Sequence, residues 1–289
     1  MRKRILLLGG SGQLGHTIKN IFSNYIIISP SSNKLNITRK TDLEFFIKKI
    51  KPNFIINTAA YTNVEKAEID KKKCLKVNST SLKIISELSK KYKIFLVHIS
   101  SDYVFSRKKK TPINENSKRN PINFYGYSKL LAEEIIEKSH CNYVIFRTSW
   151  LYSYKFVNFP NKILNFIKEN KKIKVINDQH GSLTSCELLS KIIFKVLNLG
   201  NTNMKETFNL SCNGSSTWFD ISKYILKYCK KNKLCNQNLN IIPIKSNAYK
   251  TLCKRPKYSY LSKKKIEKFL KIKLPNWKND LKDNFFQNI

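Results

Sequence analysis

The sequence lacks long apolar runs. Its 289 residues contain no stretch that approaches the ~20 consecutive apolar residues of a membrane-spanning helix, so we predict no transmembrane segment. The start MRKRILLLGG carries the positive charge of a signal peptide, but only residues 5–8 are apolar before the first glycine. That run is too short for the apolar part of a signal and predicts a buried strand instead.

Disulfide and metal-binding patterns are also missing. The seven cysteines are odd in number and widely scattered, no two form a CxxC pair, and no histidine stands at metal-ligand spacing. This pattern predicts reduced, mostly structural thiols in a cytoplasmic protein, with no confident metal site.

Acidic residues are few, with 19 Asp and Glu against 55 Lys and Arg and a net charge of +36. Clustered cations would indicate a nucleic-acid or anionic-membrane partner. Here the lysines form short runs from end to end, such as 71–73 and 263–265, among abundant Asn and Ile. We attribute these lysines to codon bias acting at solvated positions, and predict no nucleic-acid and no membrane partner. Binding of an anionic substrate would still benefit from the positive charge.

Short apolar runs alternate with segments of helical periodicity in the first half of the chain. The predicted strands are residues 5–8, 25–28, 54–56, 94–99 and 143–146, and the predicted helices are 16–22, 41–50, 74–91 and 127–138. This alternation predicts an α/β fold, a Rossmann-type doubly wound parallel sheet covered by helices on both faces.

The pattern loosens after residue 150. Helices are predicted at 161–170, 186–199 and 217–230, and strands at 173–176 and 207–210. We therefore predict a dinucleotide-binding domain of residues 1–150 and 184–212, and a smaller substrate-binding lobe of residues 151–183 and 213–289.

A glycine-rich loop joins the first strand to the first helix. Gly9 suits a tight turn, Gly12 allows the backbone to approach a pyrophosphate, and Gly15 permits close packing of helix and strand. The helix N-terminus that follows offers free N–H groups to an anion. This arrangement predicts a dinucleotide cofactor, with further loop contacts from Ser11, Gln13 and Leu14.

The second strand has no acidic residue at its end. A carboxylate there would hold the adenosine ribose 2′-hydroxyl of NAD, whereas residues 29–34 read SPSSNK. Hydroxyls and a cation suit a 2′-phosphate, so we predict NADPH, with NADH possible.

Three residues in chain order suggest a carbonyl reductase. Ser101 follows the fourth strand, and Tyr125 and Lys129 are spaced so that both lie on one face of a helix. Tyr125 would donate its phenolic proton to a carbonyl oxygen, Lys129 would lower the tyrosine's pKa, and Ser101 would hydrogen-bond the same oxygen. Tyr127 competes with Tyr125 but is predicted to face away from Lys129.

Longer motifs resemble one family, the dTDP-4-dehydrorhamnose reductases of the extended short-chain dehydrogenases. The resemblance covers most of the chain. Besides the glycine loop, the matching segments are 57–68 (NTAAYTNVEKAE), 77–78 (VN), 101–105 (SDYVF), 120–126 (NPINFYG), 146–150 (FRTSW), 175–181 (VINDQHG) and 255–256 (RP).

The resemblance implies reduction of the C4 ketone of dTDP-4-dehydro-β-L-rhamnose to dTDP-β-L-rhamnose, a precursor of surface polysaccharide. It implies that the nicotinamide cleft is lined by Thr58, Ala59, Ala60, Tyr61 and Asn78. It also implies that the sugar nucleotide is bound by Thr62, Tyr103, Val104, Trp150 and Arg255. Trp150 could instead be an ordinary core aromatic.

Two departures from the family pattern concern catalysis and metal binding, and a third is Leu261-Ser262 where the family has Leu-Asp. Ser101 stands where the family usually has Thr, and the hydroxyl is kept. Some members dimerise through Mg²⁺ held by glutamates. Here one position is Thr17 while Glu187 is retained, so bound Mg²⁺ is doubtful and a homodimer is possible.

Two rival functions share this fold. Another sugar-nucleotide reductase or epimerase would have the same catalytic residues. A noncatalytic homologue, such as a regulatory subunit of methionine adenosyltransferase, would not need the intact set Ser101, Tyr125 and Lys129.

Overall fold

The computed structural model describes residues 2–107 and 110–289 and contains one large sheet with three small strand pairs. The strands are β1 (Arg4–Leu8), β2 (Ile26–Ile28), β3 (Phe54–Asn57), β4 (Phe95–Ser101), β5 (Tyr143–Thr148), β6 (Leu151–Tyr152), β7 (Ile173–Ile176), β8 (His180–Gly181), β9 (Thr184–Ser185), β10 (Lys205–Leu210), β11 (Ser216–Thr217) and β12 (Ile241–Ile244).

The large sheet has the order β10-β5-β4-β3-β1-β2, and every neighbouring pair in it is parallel. The chain adds β2 on one side of β1 and the later strands on the other, so the strand order reverses between β1 and β3. At such a point α/β proteins bind ligands in a crevice at the carboxyl ends of the strands. The predicted doubly wound parallel sheet is confirmed.

Eleven α-helices occur in the described residues. They are α1 (Gln13–Ile21), α2 (Lys40–Ile50), α3 (Val64–Ala67), α4 (Lys71–Leu75), α5 (Ser81–Lys91), α6 (Phe124–Lys138), α7 (Phe159–Lys168), α8 (Cys186–Asn198), α9 (Trp218–Lys231), α10 (Lys264–Leu270) and α11 (Trp277–Asn284).

The helix predicted over residues 74–91 is interrupted. A π-helical segment, Lys76–Thr80, separates α4 from α5. Such segments occur often at functional sites because the extra residue in the turn redirects a side chain. Here the segment contains Asn78, whose buried amide hydrogen-bonds both the main-chain N–H and the carbonyl of Tyr61.

Apolar side chains of the sheet alternate between two cores. Ile5 and Leu7 of β1 face one core together with α1 and α8, while Leu6 and Leu8 face the other with α2, α5 and α6. Because helices cover both faces of the sheet, the strands are continuous apolar runs in the sequence.

A buried ion pair anchors α6 to the sheet. Glu133 of α6 is fully buried and accepts hydrogen bonds from the guanidinium of Arg147 on β5, at 2.8 Å, and from Arg119. The pKa of Glu133 is lowered, since these hydrogen bonds and charges outweigh the effect of its burial. This anchor fixes the helix that carries Tyr125 and Lys129.

The small strand pairs lie in the second half of the chain. β7 pairs with β12, β8 with β11, and β6 with β9. The first two pairs fall within the predicted substrate-binding lobe, while β6 and β9 join that lobe to the predicted dinucleotide-binding domain. The domain boundaries themselves stay a prediction.

Lys263 belongs to the run 263–265, which was predicted to be solvated, but this residue is buried. It is 3% exposed, and its Nζ lies 3.7 Å from the centre of the Tyr260 ring. Burial lowers the pKa of Lys263 to about 8. This lysine is therefore part of the packed interior.

All seven cysteines are unpaired and six are buried, as expected for structural thiols. Across the described residues, no helix combines the length and the apolar character that crossing a bilayer requires.

Candidate active site

A cleft of about 740 Å³ opens beside the glycine loop. It contains residues from all three predicted groups, the cofactor, catalytic and substrate residues. The predicted residues that line it are Gly9, Ser11, Gly12, Gln13, Leu14, Gly15, Thr58, Ala59, Ala60, Thr62, Ser101, Tyr103, Tyr125, Lys129 and Trp150. Tyr61, Asn78, Val104 and Arg255 lie outside this lining.

The glycine loop requires glycine at its first and last positions. Gly9 has a φ of 84°, and a Cβ there would collide with the main chain of Ala59 on the neighbouring loop. A Cβ on Gly15 would collide with the carbonyl of Gly9. At Gly12 no atom lies closer than 3.5 Å to an added Cβ, so this residue borders open space.

Gly10 has a role that the sequence did not reveal. A Cβ at this position would overlap the hydroxyl of Ser29, which donates a hydrogen bond to the carbonyl of Leu7 at 3.1 Å. The contact joins the glycine loop to the end of β2. Spacing along the chain gives no sign of it, because the two residues meet only across the sheet.

The end of the cleft nearest β2 is neutral. Pro30, Ser31 and Ser32 line it, and Asp102 at the other end is the one carboxylate among the lining residues of the described chain. This agrees with the absence of an acidic residue after the second strand.

Ser101 and Tyr125 approach each other from β4 and α6. Asn123 caps α6 by accepting a hydrogen bond from the N–H of Gly126 at 2.7 Å, so the helix begins with Tyr125 facing the cleft. Burial and then the charge of Asp102 raise the pKa of Tyr125, and the nearby Ser101 hydroxyl opposes this shift. Tyr127 is 44% exposed and faces away, as predicted.

Lys129 lines the cleft, but its amine points to the sheet. Its Nζ donates to the carbonyl of Ile99 at 2.6 Å and lies 3.3 Å from Nε2 of His98. Burial lowers the pKa of Lys129 to about 8, against the opposing effects of Glu133 and Cys74. Because these two groups of β4 hold the amine, the free protein does not show the expected lowering of the pKa of Tyr125, which burial raises instead.

Asp102 was noted only as part of a motif, yet it is buried next to the catalytic serine. One carboxylate oxygen lies 3.1 Å from the Ser101 hydroxyl, and Oδ2 has no hydrogen-bond partner among the described residues. Burial raises the pKa of Asp102 to about 7, although the nearby hydroxyls of Ser259 and Ser101 oppose the shift.

Trp150 forms an aromatic wall with a residue that the sequence analysis missed. Its ring stacks on that of Trp218, the first residue of α9. Gly181 also lies against the Trp150 ring, because an added Cβ there would come within 2.7 Å of it. Both tryptophans are half-buried and line the cleft, so Trp150 is not simply a core aromatic.

Two predicted cofactor contacts lie behind the cleft wall. The main-chain N–H of Tyr61 donates to Asn78 at 2.7 Å, and the Tyr61 hydroxyl donates to Asp70 at 2.9 Å. Asn78 also donates to Ser128 on α6 at 2.9 Å. These bonds hold the loop after β3 against α6.

Two predicted substrate contacts also lie outside the lining. Val104 is fully buried in a small apolar cluster with Phe105 and Ile113. Arg255 donates to Glu65 at 2.8 Å, while its Nε is buried and has no partner among the described residues.

Glu187 does not belong to a recognisable metal site. Burial raises its pKa, and its Oε2 has no hydrogen-bond partner in the described chain. The Thr17 hydroxyl donates to the carbonyl of Gln13 at 2.9 Å. Among residues 2–107 and 110–289, no group of three or more His, Cys, Asp or Glu could hold a metal ion.

Several polar atoms of the cleft are buried without a partner in the described residues. They are Gln13 Oε1, Asp102 Oδ2 and the Thr148 hydroxyl. Buried polar groups normally have hydrogen-bond partners. The open space at Gly12 and the N-terminus of α1 suit a phosphate group, whereas the three unpartnered oxygens suit ligand groups that can donate hydrogen bonds.

Comparison with known proteins agrees with this geometry. The family model described as the RmlD substrate binding domain matches residues 2–288. The chain is 30% identical to the dTDP-4-dehydrorhamnose reductase of Escherichia coli K12, over 96% of this chain and 95% of that protein.

Comparison with solved structures points to the same family. The dTDP-4-dehydrorhamnose reductase of Bacillus anthracis, solved in complex with NADP, has a TM-score of 0.92 and 30% identity, with 99% of this chain and 100% of that one covered. The Clostridium acetobutylicum protein described by the same name has a TM-score of 0.90 and 30% identity, with 99% of each chain covered. The chain therefore belongs to the RmlD family, the family of the dTDP-4-dehydrorhamnose reductases.

Proposed function

We propose that this protein reduces the C4 ketone of dTDP-4-dehydro-β-L-rhamnose to dTDP-β-L-rhamnose with NADPH, in the biosynthesis of dTDP-rhamnose. One observation carries the proposal: Ser101, Tyr125 and Lys129 line the same cleft as the glycine loop. The family match supports it, because relatives of similar length are dTDP-4-dehydrorhamnose reductases.

The residues of the cleft fit a dinucleotide. The loop Gly9, Ser11, Gly12 and Gln13 would hold the pyrophosphate at the N-terminus of α1. The loop after β3 would hold the nicotinamide end with Thr58, Ala59 and Ala60, and Asn78 would position that loop through Tyr61.

Preference for NADPH over NADH rests on the end of the cleft near β2. Ser31 and Ser32 line it and no carboxylate does so in the described chain. A carboxylate would repel a 2′-phosphate, whereas hydroxyls can donate hydrogen bonds to it.

Tyr125 is the proton donor of the proposed reaction. A tyrosine is protonated at neutral pH because its ordinary pKa is about 10, and burial raises the pKa of Tyr125 further, so its O–H is present to donate to a carbonyl oxygen. The bound cofactor supplies a hydride to the carbonyl carbon. Ser101 lines the cleft together with Tyr125, and its hydroxyl would turn from Asp102 to donate to the same oxygen and stabilise the negative charge that develops on it.

The sugar nucleotide would lie between the catalytic pair and the aromatic wall. Thr62 and Tyr103 line the cleft near Tyr125, and the Tyr103 and Tyr125 rings are 5.8 Å apart. Trp150 would contact the substrate directly. Val104 and Arg255 would act from outside the cleft lining, Val104 through its apolar cluster with Phe105 and Arg255 through its ion pair with Glu65.

The two-lobe division, a homodimer and a cytoplasmic location stay predictions. The test of function is to incubate the purified protein with NADPH and a panel of 4-keto sugar nucleotides, and to follow the loss of absorbance of the reduced cofactor. We expect fastest oxidation with the dTDP-linked 4-keto sugar. Faster turnover of a sugar linked to another nucleotide would refute the proposed substrate.

A further inference from the structure

Segment 252–255 of the predicted substrate-binding lobe is bound to the first residues after the β3 loop through one carboxylate. Glu65 Oε2 accepts hydrogen bonds from the main-chain N–H groups of Leu252, at 2.8 Å, and Cys253, at 3.2 Å. Glu65 Oε1 accepts from the guanidinium of Arg255 at 2.8 Å. A single side chain therefore joins the predicted dinucleotide-binding domain to the predicted substrate-binding lobe.

The same segment is also bound to the start of α6. The side-chain NH₂ group of Asn123 donates to the carbonyl of Lys254 at 2.9 Å, and its Oδ1 accepts from the N–H of Gly126 at 2.7 Å. The residue that caps α6 therefore holds the segment as well. We call Glu65, Asn123 and segment 252–255 the clasp.

The clasp adjoins the catalytic tyrosine. Tyr125 stands two residues after Asn123, in the first turn of α6. A Cβ on Gly126 would collide with the carbonyl of Tyr103, so this turn packs against a residue that lines the cleft. Because Asn123 is bound to both, a movement of segment 252–255 would act on the turn that carries Tyr125.

The side chains of the clasp provide the hydrogen bonds that join this segment to the rest of the chain. In the part of the chain that the structure describes, the main chain of residues 250–256 forms no hydrogen bond with another main-chain group. Residues 247–252 are exposed, whereas Cys253 and Pro256 are buried. The segment therefore depends on Glu65 and Asn123 for its polar attachment.

The clasp can open while the domain stays folded. The side chains of Glu65 and Arg255 are 33% and 29% exposed, and ion pairs near the surface contribute little to global stability. Segments with few buried contacts and few main-chain hydrogen bonds open locally more readily than the core does. Loss of the Glu65 carboxylate should therefore release the segment without unfolding the sheet.

We infer that Glu65 is a positioning residue, which holds residues 250–256 against the first turn of α6 and so fixes the substrate-binding lobe beside Tyr125. The sugar nucleotide would lie between the two predicted parts of the chain, so opening of the clasp would weaken its binding and leave the cofactor site intact. This effect on the sugar nucleotide rests on the proposed function. The attachment of the segment by Glu65 does not depend on it.

Limited digestion of the full chain with trypsin measures the opening of the clasp. Trypsin cleaves after lysine, and Lys250 and Lys254 are exposed on the segment. In Glu65→Gln an NH₂ group, which cannot accept a hydrogen bond, replaces one carboxylate oxygen. Because cleavage follows the population of the open form, we expect it to become roughly tenfold faster at both lysines. An unchanged rate would overturn the inference.

Glu44→Gln is the matched control. Glu44 on α2 also accepts two hydrogen bonds with one carboxylate oxygen, from the Lys91 amine at 2.7 Å and the Tyr92 hydroxyl at 2.6 Å. These bonds do not touch the clasp, so cleavage after Lys250 and Lys254 should be as slow as in the original chain. Equal acceleration in both variants would show a general loosening and would refute the specific role of Glu65.

Asn123→Asp separates the clasp from the cap of α6. Asp is a good N-cap and keeps an oxygen for the N–H of Gly126, but it cannot donate to the carbonyl of Lys254. We expect faster cleavage after Lys254 with unchanged helix content by circular dichroism. Unchanged cleavage would remove Asn123 from the clasp.

Steady-state kinetics test the positioning role. In Glu65→Gln, KM for the dTDP-linked 4-keto sugar should rise roughly two- to tenfold, with a smaller change in kcat and an unchanged dissociation constant for NADPH. Faster trypsin cleavage with an unchanged KM would show that the clasp is merely structural, and would overturn the positioning role. If the original protein reduces no 4-keto sugar, the proposed function fails, and the digestion alone decides whether Glu65 holds the segment.

Discussion

The ring of Trp150 lies on the ring of Trp218, with centroids 3.7 Å apart and an angle of 18° between the planes. Trp150 follows β5 and has a φ of 46°, a backbone conformation that is strained for a residue with a side chain. Such strain persists only where surrounding contacts hold it, and it is common at ligand sites. Here the stack on Trp218 and the close approach of Gly181 provide those contacts.

Trp218→Ala should weaken binding of the sugar nucleotide. Loss of the stack frees Trp150 to leave the wall, and a pair of aromatic side chains contributes about 0.5–1.5 kcal/mol, so KM for the sugar nucleotide should rise roughly two- to tenfold. Steady-state kinetics at saturating NADPH would measure it. Trp218→Phe keeps a stacking partner and should recover most of the affinity; equal loss in both variants would contradict the stacking role.

Tyr125→Phe should abolish turnover while the fold and cofactor binding remain. The substitution removes only the hydroxyl, and general acid catalysis contributes roughly 10²- to 10⁴-fold to rate. Single-turnover kinetics and fluorescence titration with NADPH would separate the two effects. Tyr127→Phe, which removes an exposed hydroxyl on the same helix, is the control and should leave kcat unchanged. Full activity in Tyr125→Phe would remove this residue from the mechanism.

The parts of the site that were predictable come from short-range sequence patterns. Gly9, Gly12 and Gly15 follow a buried strand directly, and Tyr125 and Lys129 are one helical turn apart. In each case the local backbone geometry determines which groups share a face, so the sequence alone places them together.

The parts that were missed depend on contacts between distant segments. Trp218 reaches the cleft from α9, and Ser29 meets Gly10 across the sheet. The orientation of Lys129 was also unpredictable, because His98 on β4 determines it. Helical spacing determines the face of the helix on which Lys129 lies. It does not determine which hydrogen-bond partner its long, flexible side chain will reach.

Asp102→Asn should increase the stability of the protein at alkaline pH. Burial raises the pKa of Asp102 to about 7, above the value of about 3.9 in an unfolded chain. The folded chain therefore binds more protons than the unfolded chain between these values, so stability falls as the pH rises through this window.

The size of this effect can be measured by urea unfolding at pH 4, 6 and 8. Asn cannot ionise, so the gain in the free energy of unfolding should be small at pH 4 and reach a few kcal/mol at pH 8, since one pKa unit corresponds to about 1.4 kcal/mol. Asp70→Asn, at an exposed carboxylate, should show no such trend. A gain that is equal at all three pH values would contradict the raised pKa of Asp102.

Gly9→Ala should destroy cofactor binding and lower stability by more than its backbone conformation alone explains. Gly200→Ala is the matched control, because Gly200 has a similar φ of 71° but no atom within 4 Å of an added Cβ. An L-residue in this conformation costs about 1 kcal/mol, and that should be the whole effect at Gly200. At Gly9 the Cβ would also collide with the main chain of Ala59, which must then move away from the cleft. Denaturant unfolding and NADPH titration of both variants separate the two contributions, and equal losses at the two positions would show that the approach of Ala59 to the glycine loop is unimportant.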